Sequence, residues 1–265
     1  VGQPGAILEG SFRTDNALAP DASVANFLKT STTDFVTGSG TGITVAADNV
    51  TIQGLTIQSF QAGVVLNHGV DYVRLENVVI DGTVNGVRKG TGAAVNGFDF
   101  IGGEIRDSYI GMYISKETAD GQDLSDVLIQ GTAFTDLVEK GLYFETLSNA
   151  VIEDVTMTDV GQWGRGSAPV FHGGATQNIG GFGTGIDINL KWDHESTSDT
   201  TNDNAPYSDI TIRGFEFTGV GSSNRDGAAS PHFGGAAISV KARDDGSYAG
   251  PEAAGFSGAV VIENG

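Results

Sequence analysis

Apolar and polar residues alternate along this chain in a phrase that repeats. The segments 49–57, 72–80, 97–105, 126–134, 150–157 and 209–217 read apolar–polar–apolar, then a polar or glycine-containing corner, then apolar–polar–apolar again. Period-two alternation predicts half-buried strands, and the corner predicts a bend between two of them. A second element follows: glycine, then apolar–x–apolar, beginning at Gly63, Gly86, Gly111, Gly141 and Gly185, with an earlier copy at Gly42 and a related one at Ala237. The steps between those five glycines are 23, 25, 30 and 44 residues. A strand trio of this length cannot bury its own apolar side, whereas stacked trios bury a continuous core. No long amphipathic helical pattern intervenes, which argues against βαβ units.

The pattern predicts one all-β domain over residues 1–265: a parallel β-helix of about seven coils spaced about 4.8 Å apart. Residues 1–40 are an N-terminal strand (6–10) and a loop or cap segment, with a short apolar patch at Val24, Phe27 and Leu28 that reads as a helical turn or a side-loop. Residues 41–160 are regular coils, and 161–265 are coils with long insertions at 161–183, 192–206, 221–235 and 242–255. The first and third insertions resemble one another, down to Arg165 and Arg225. They are expected to stack as a wall, either thickening the coil or forming one side of a cleft.

The rhythm over residues 40–265 resembles that of the right-handed parallel β-helix repeat proteins, the fold group that includes pectate lyases and alginate epimerases. The resemblance implies a single-stranded right-handed solenoid. It leaves function open, because that fold carries lyases, hydrolases, epimerases, phage tailspikes and adhesins.

Composition narrows the choice. The chain has 40 glycines, no cysteine, and a formal net charge of -19. Without cysteine there is no disulfide scaffold, zinc–thiolate site or thiol nucleophile. The acidic average surface repels nucleic acid and anionic membranes, and no apolar run approaches the roughly 20 residues of a membrane span. Asp-rich acidity without cysteine fits a secreted bacterial protein, extracellular or at the cell surface.

The basic residues are few and unevenly placed. Lys89, Lys116, Lys140, Lys191 and Lys241, with Arg88 and Arg243, follow the second strand element, seven of the 14 Lys plus Arg. Alternation there points Val64, Met112, Leu142, Ile186 and Ile238 inward. It points Val65, Arg88, Tyr113, Tyr143, Asp187 and Ser239 outward as one row, with Asn67, Ser115, Glu145, Asn189 and Lys241 as a second. Cations and tyrosines along a rigid face suit an acidic polysaccharide, ammonium and guanidinium groups meeting carboxylates and rings stacking on sugars. The candidate ligand-binding residues are therefore Arg88, Lys116, Tyr113, Tyr143, Asp187, Lys191 and Lys241. The competing reading is that the lysines only balance neighbouring acids and guard the sheet.

Were the protein an enzyme, a lyase or epimerase would need a cation for the uronate carboxylate and a base near the C5 proton. Tyr143, Lys140 and Arg88 are the candidates, with Lys116, His172 and Lys191 beside them. A hydrolase would use two facing carboxylates, for which Asp187 and Glu145 stand on adjacent coils. No cofactor is required. Calcium is the one ion in question, with Asp199, Asp203 and Asp209 as oxygen ligands. The glycine-rich stretch 180–187 lacks the aspartate of a calcium-binding nonapeptide. The four histidines, His68, His172, His194 and His232, lack metal-ligand spacing. Trp163 and Trp192 either pack the insertions or offer a sugar platform.

Two functional expectations follow. The first is a structural or adhesive module, a surface, matrix or filament building block. The second is a polysaccharide lyase or epimerase. The phrase at 258–265 echoes that at 5–10, so one coil is expected to continue into a neighbouring copy, end to end or within a longer chain. That favours the structural expectation.

Overall fold

The alternating segments are parallel strands in the computed structural model, which describes residues 5–10, 40–67, 69–89, 94–115, 124–137, 139–161, 183–191, 207–221, 235–242 and 256–265. They form three sheets of seven strands, each coil contributing one strand to each sheet. The first sheet runs β1 (Ala6–Glu9), β4 (Leu55–Gln58), β7 (Val79–Asp81), β10 (Glu104–Arg106), β13 (Ala133–Thr135), β16 (Thr156–Thr158) and β19 (Glu216–Thr218). The second, built from the glycine-led elements, runs β2 (Thr41–Val45), β5 (Ala62–Leu66), β8 (Asn85–Lys89), β11 (Ile110–Ile114), β14 (Lys140–Phe144), β17 (Thr184–Leu190) and β20 (Ala236–Ala242). The third runs β3 (Thr51–Gln53), β6 (Val70–Glu76), β9 (Val95–Ile101), β12 (Leu124–Gln130), β15 (Ser148–Glu153), β18 (Tyr207–Arg213) and β21 (Phe256–Glu263). This is an all-β parallel β-helix of seven coils. Among the described residues no helix is long and apolar enough to cross a membrane.

Chain corners explain much of the Asn, Asp and Gly content. The first-to-second corner repeats a left-handed residue at Ser59, Asp107, Asp136 and Asp159 (φ 62°, 50°, 53° and 55°). The start of the third sheet repeats one at Asn49, Asp126, Asn149 and Asp209 (φ 57°, 54°, 48° and 44°). Glycine, asparagine and aspartate tolerate this region best, the last two through local hydrogen bonds. Asn149 donates from Nδ2 to Asp126 Oδ1, and Asp209 Oδ1 accepts the Ala259 amide at 3.3 Å.

Inward side chains stack in rows along the prism. In the first sheet Ile57, Ile80, Ile105, Phe134 and Met157 are fully buried, and in the third Leu75, Phe100, Ile129, Ile152 and Ile212 are. Each row repeats the same environment, so burial stabilises the coils additively at about 25 cal/mol per Å² of apolar surface. Buried hydroxyls at the corners are satisfied, as requires of dry polar groups: Thr83 Oγ1 and Ser108 Oγ lie 3.0 Å apart and Ser108 Oγ donates to the Arg106 carbonyl.

Two expectations change here. Lys89 does not share the outer face: it stands in the inward row Val45–Leu66–Lys89 and is 1% exposed. The two echoing segments are not equivalent either, since β1 belongs to the first sheet and β21 to the third. They are alike because every strand carries the same alternation. The apolar patch at Val24–Leu28 and most of the four insertions lie outside the described residues.

Candidate functional site

The second sheet places its outward residues as alternation predicts. Val65, Arg88, Tyr113, Tyr143, Asp187 and Ser239 occupy one row across six coils. Asn189 and Lys241 pair in the next row. Phe144 and Ile188 are partners, so Glu145 precedes Asn189 in that row. Lys140 opens β14, and Lys191 follows β17.

These side chains face away from the coil interior, yet most are buried. Asp187 is 1% exposed, Glu145 4%, Asn189 6% and Lys140 9%. Charge at that depth survives only when paired, and here it is. Lys140 Nζ lies 2.7 Å from Asp187 Oδ2, and Lys241 Nζ lies 2.9 Å from Asp187 Oδ1. The first contact is also a hydrogen bond, whereas Oδ1 accepts none, so the second is an ion pair without hydrogen-bond alignment. Lys191 Nζ lies 2.5 Å from Glu145 Oε1. Tyr143 donates its hydroxyl to the same Oε1 at 2.6 Å and accepts from Asn189 Nδ2 at 3.2 Å. The Tyr113 and Tyr143 rings stack with centroids 5.5 Å apart, and Lys140 Nζ sits 4.0 Å from the centre of the Tyr143 ring.

The electrostatics follow from these contacts. Burial alone would raise the Asp187 carboxyl, but the ammonium groups of Lys140 and Lys241 overcome it and hold Asp187 below the usual carboxylate range. Burial, reinforced by the Glu145 carboxylate, pushes the Tyr143 phenol far above its ordinary value. Tyr143 is therefore a neutral hydrogen-bond donor at any physiological pH and not a base. Three ammonium groups face two carboxylates, an excess of one positive charge. Arg88 is half-buried and, among the described residues, makes no hydrogen bond or ion pair.

The structure thus brings together Lys140, Tyr143, Glu145, Asp187, Lys191 and Lys241, with Tyr113 and Arg88 along the same row. Lys116, Asp199, Asp203, Arg243, Trp163, Trp192 and the four histidines lie outside the described residues. Asp209 sits at a corner of the third sheet, away from this face, and its carboxylate braces the backbone of β21. Among the described residues no group of three or more His, Asp or Glu is placed to hold a metal ion. Sequence reasoning set Asn189 in an outward row but did not single it out. Its place two residues after Asp187, on the same face, was the available signal. Compared with known protein families, curated proteins and solved structures, the chain matches none.

Proposed function

We propose that this protein is a structural or adhesive β-helix module, a building block of a cell surface or extracellular matrix. One observation carries the reading: the buried charges on the outer face of the second sheet are engaged with one another across coils. Asp187 ties β14 to β17 and β20, and Glu145 ties Lys191 to Tyr143. A catalytic face needs a base that titrates near neutral pH or a carboxylate free to act. Here the phenol is held protonated and both carboxylates are neutralised, an arrangement that fastens coils together. Secretion by a bacterium and kinship with the pectate-lyase fold group belong to the same proposal.

The test is incubation with polygalacturonate and alginate, with and without calcium. It is read as absorbance of unsaturated uronate and, for epimerisation, by proton NMR of the uronate composition. No change is expected. Turnover that Tyr143→Phe or Asp187→Asn abolishes would replace this reading with a lyase or epimerase.

Arg88 favours a second element of the reading, contact with an acidic polysaccharide. Its guanidinium is uncommitted beside the stacked Tyr113 and Tyr143 rings, a pairing suited to a carboxylate on a sugar ring. Retardation of the protein in gels containing polygalacturonate, relieved by Arg88→Gln, is the expected result. Equal mobility of both proteins in gels with and without the polymer would remove this element.

A further inference from the structure

Gly42, Gly63, Gly86, Gly111, Gly141 and Gly185 occupy one position in six successive strands of the second sheet. A Cβ on each would lie 2.6, 2.7, 2.5, 2.4, 2.7 and 2.6 Å from the carbonyl oxygen of the equivalent residue one coil further on. Real Cβ atoms essentially never approach another atom within 3.0 Å. The glycine rhythm is therefore a steric requirement of coil-on-coil stacking in this sheet, repeated at all six steps.

The seventh position is Ala237. It follows in register, since Ile186 partners Ile238, and it is exposed on the outer edge of β20. Its methyl group projects to where the carbonyl of a further coil would come.

We propose that Ala237 is a stop for coil stacking. A strand seating on β20 with the geometry of the six earlier steps would bring an oxygen to roughly 2.4–2.7 Å from that methyl carbon, and the spacing fails. The end needs such a guard. Among the described residues β19, β20 and β21 pair with no strand beyond them. Val240 and Ile262 share rows with the fully buried Ile188 and Ile212, yet are 39% and 47% exposed. Open edges with apolar faces invite growth by strand addition. The opposite end of another copy presents β1, β2 and β3 in the same cyclic order. Its half-buried Leu8, Ile43 and Ile52 lie in the rows of Phe217, Ile238 and Ile262, while Val45, in the row of Val240, is already buried. Those rows match apolar to apolar, and the Ala237 methyl is what does not fit. The end-to-end continuation expected from the alternation thus meets an obstacle on the second sheet.

The test uses the full 265-residue chain and two substitutions. Sedimentation velocity across a hundredfold concentration range is expected to show one species for the unaltered protein. Ala237→Gly is expected to yield a series of larger species whose share grows with concentration. Gly141→Ala places the same methyl inside the stack and is expected to lower the thermal midpoint by several degrees. Three results would overturn the proposal: Ala237→Gly sedimenting like the parent with an unchanged circular dichroism spectrum, the parent already forming the same series, or Gly141→Ala melting at the parent's temperature.

Discussion

On the outer face of the third sheet, Arg74 reaches Glu76 at 3.2 Å and Asp99 at 3.1 Å while keeping 40% of its side chain exposed. On the outer face of the second, Asp187 reaches Lys140 and Lys241 over comparable distances with 1% exposed. Both are cross-coil charge clusters on parallel strands, and their geometry is nearly the same. Their surroundings differ. In water the attraction is offset by lost solvation and side-chain freedom, so an exposed pair contributes little. Out of water each charge depends on its partner, and removing one leaves the other stranded. The comparison teaches that contact distance does not rank these clusters; burial does.

The largest effect should come from Asp187→Asn, which leaves two ammonium groups without a counter-charge. A loss of about 3–5 kcal/mol in unfolding free energy is expected from urea titration. A loss under about 1 kcal/mol would place the second sheet with the third. The same residue sets a pH dependence. Its folded pKa is depressed, so its contribution is whole above the unfolded carboxylate value near pH 3.9 and fades as pH falls through its lower folded value. Acid titration of the parent should therefore show a stability loss below about pH 4 that Asp187→Asn has already forfeited.

Tyr143→Phe comes next. It deprives the buried Asn189 amide of its acceptor and Glu145 of a donor, at a cost of about 1–3 kcal/mol. Rescue by a second change, Asn189→Leu, would show that the cost lies in the stranded amide. Smallest of all should be Arg74→Gln, below about 1 kcal/mol. Molar salt should erase even that difference while leaving the Asp187→Asn difference largely intact, because screening acts on exposed pairs.

Much of this was legible from alternation. The outward row from Val65 to Ser239 could be written down because side chains in a strand change face at every residue and equivalent strands carry equivalent phase. The pairing of Lys140 with Asp187 could not. They are 47 residues apart, and their meeting depends on the lengths of two consecutive coils and on which lysine bends toward which acid. Lys89 shows the opposite failure. Its type predicts an outer position, yet strand phase puts it inside, and phase prevailed because turning one residue outward would turn its whole strand.

Alternation, the corner residues and the glycine row were enough on their own to determine a stacked parallel solenoid, because each reports a local demand: a face to bury, a left-handed turn, a carbonyl too close for a methyl. Tertiary structure alone decided which charges are buried, which lysines are already matched, that Arg88 remains uncommitted, and that Ala237 stands at an open edge. Those properties belong to distances between coils, and no single coil's sequence encodes them.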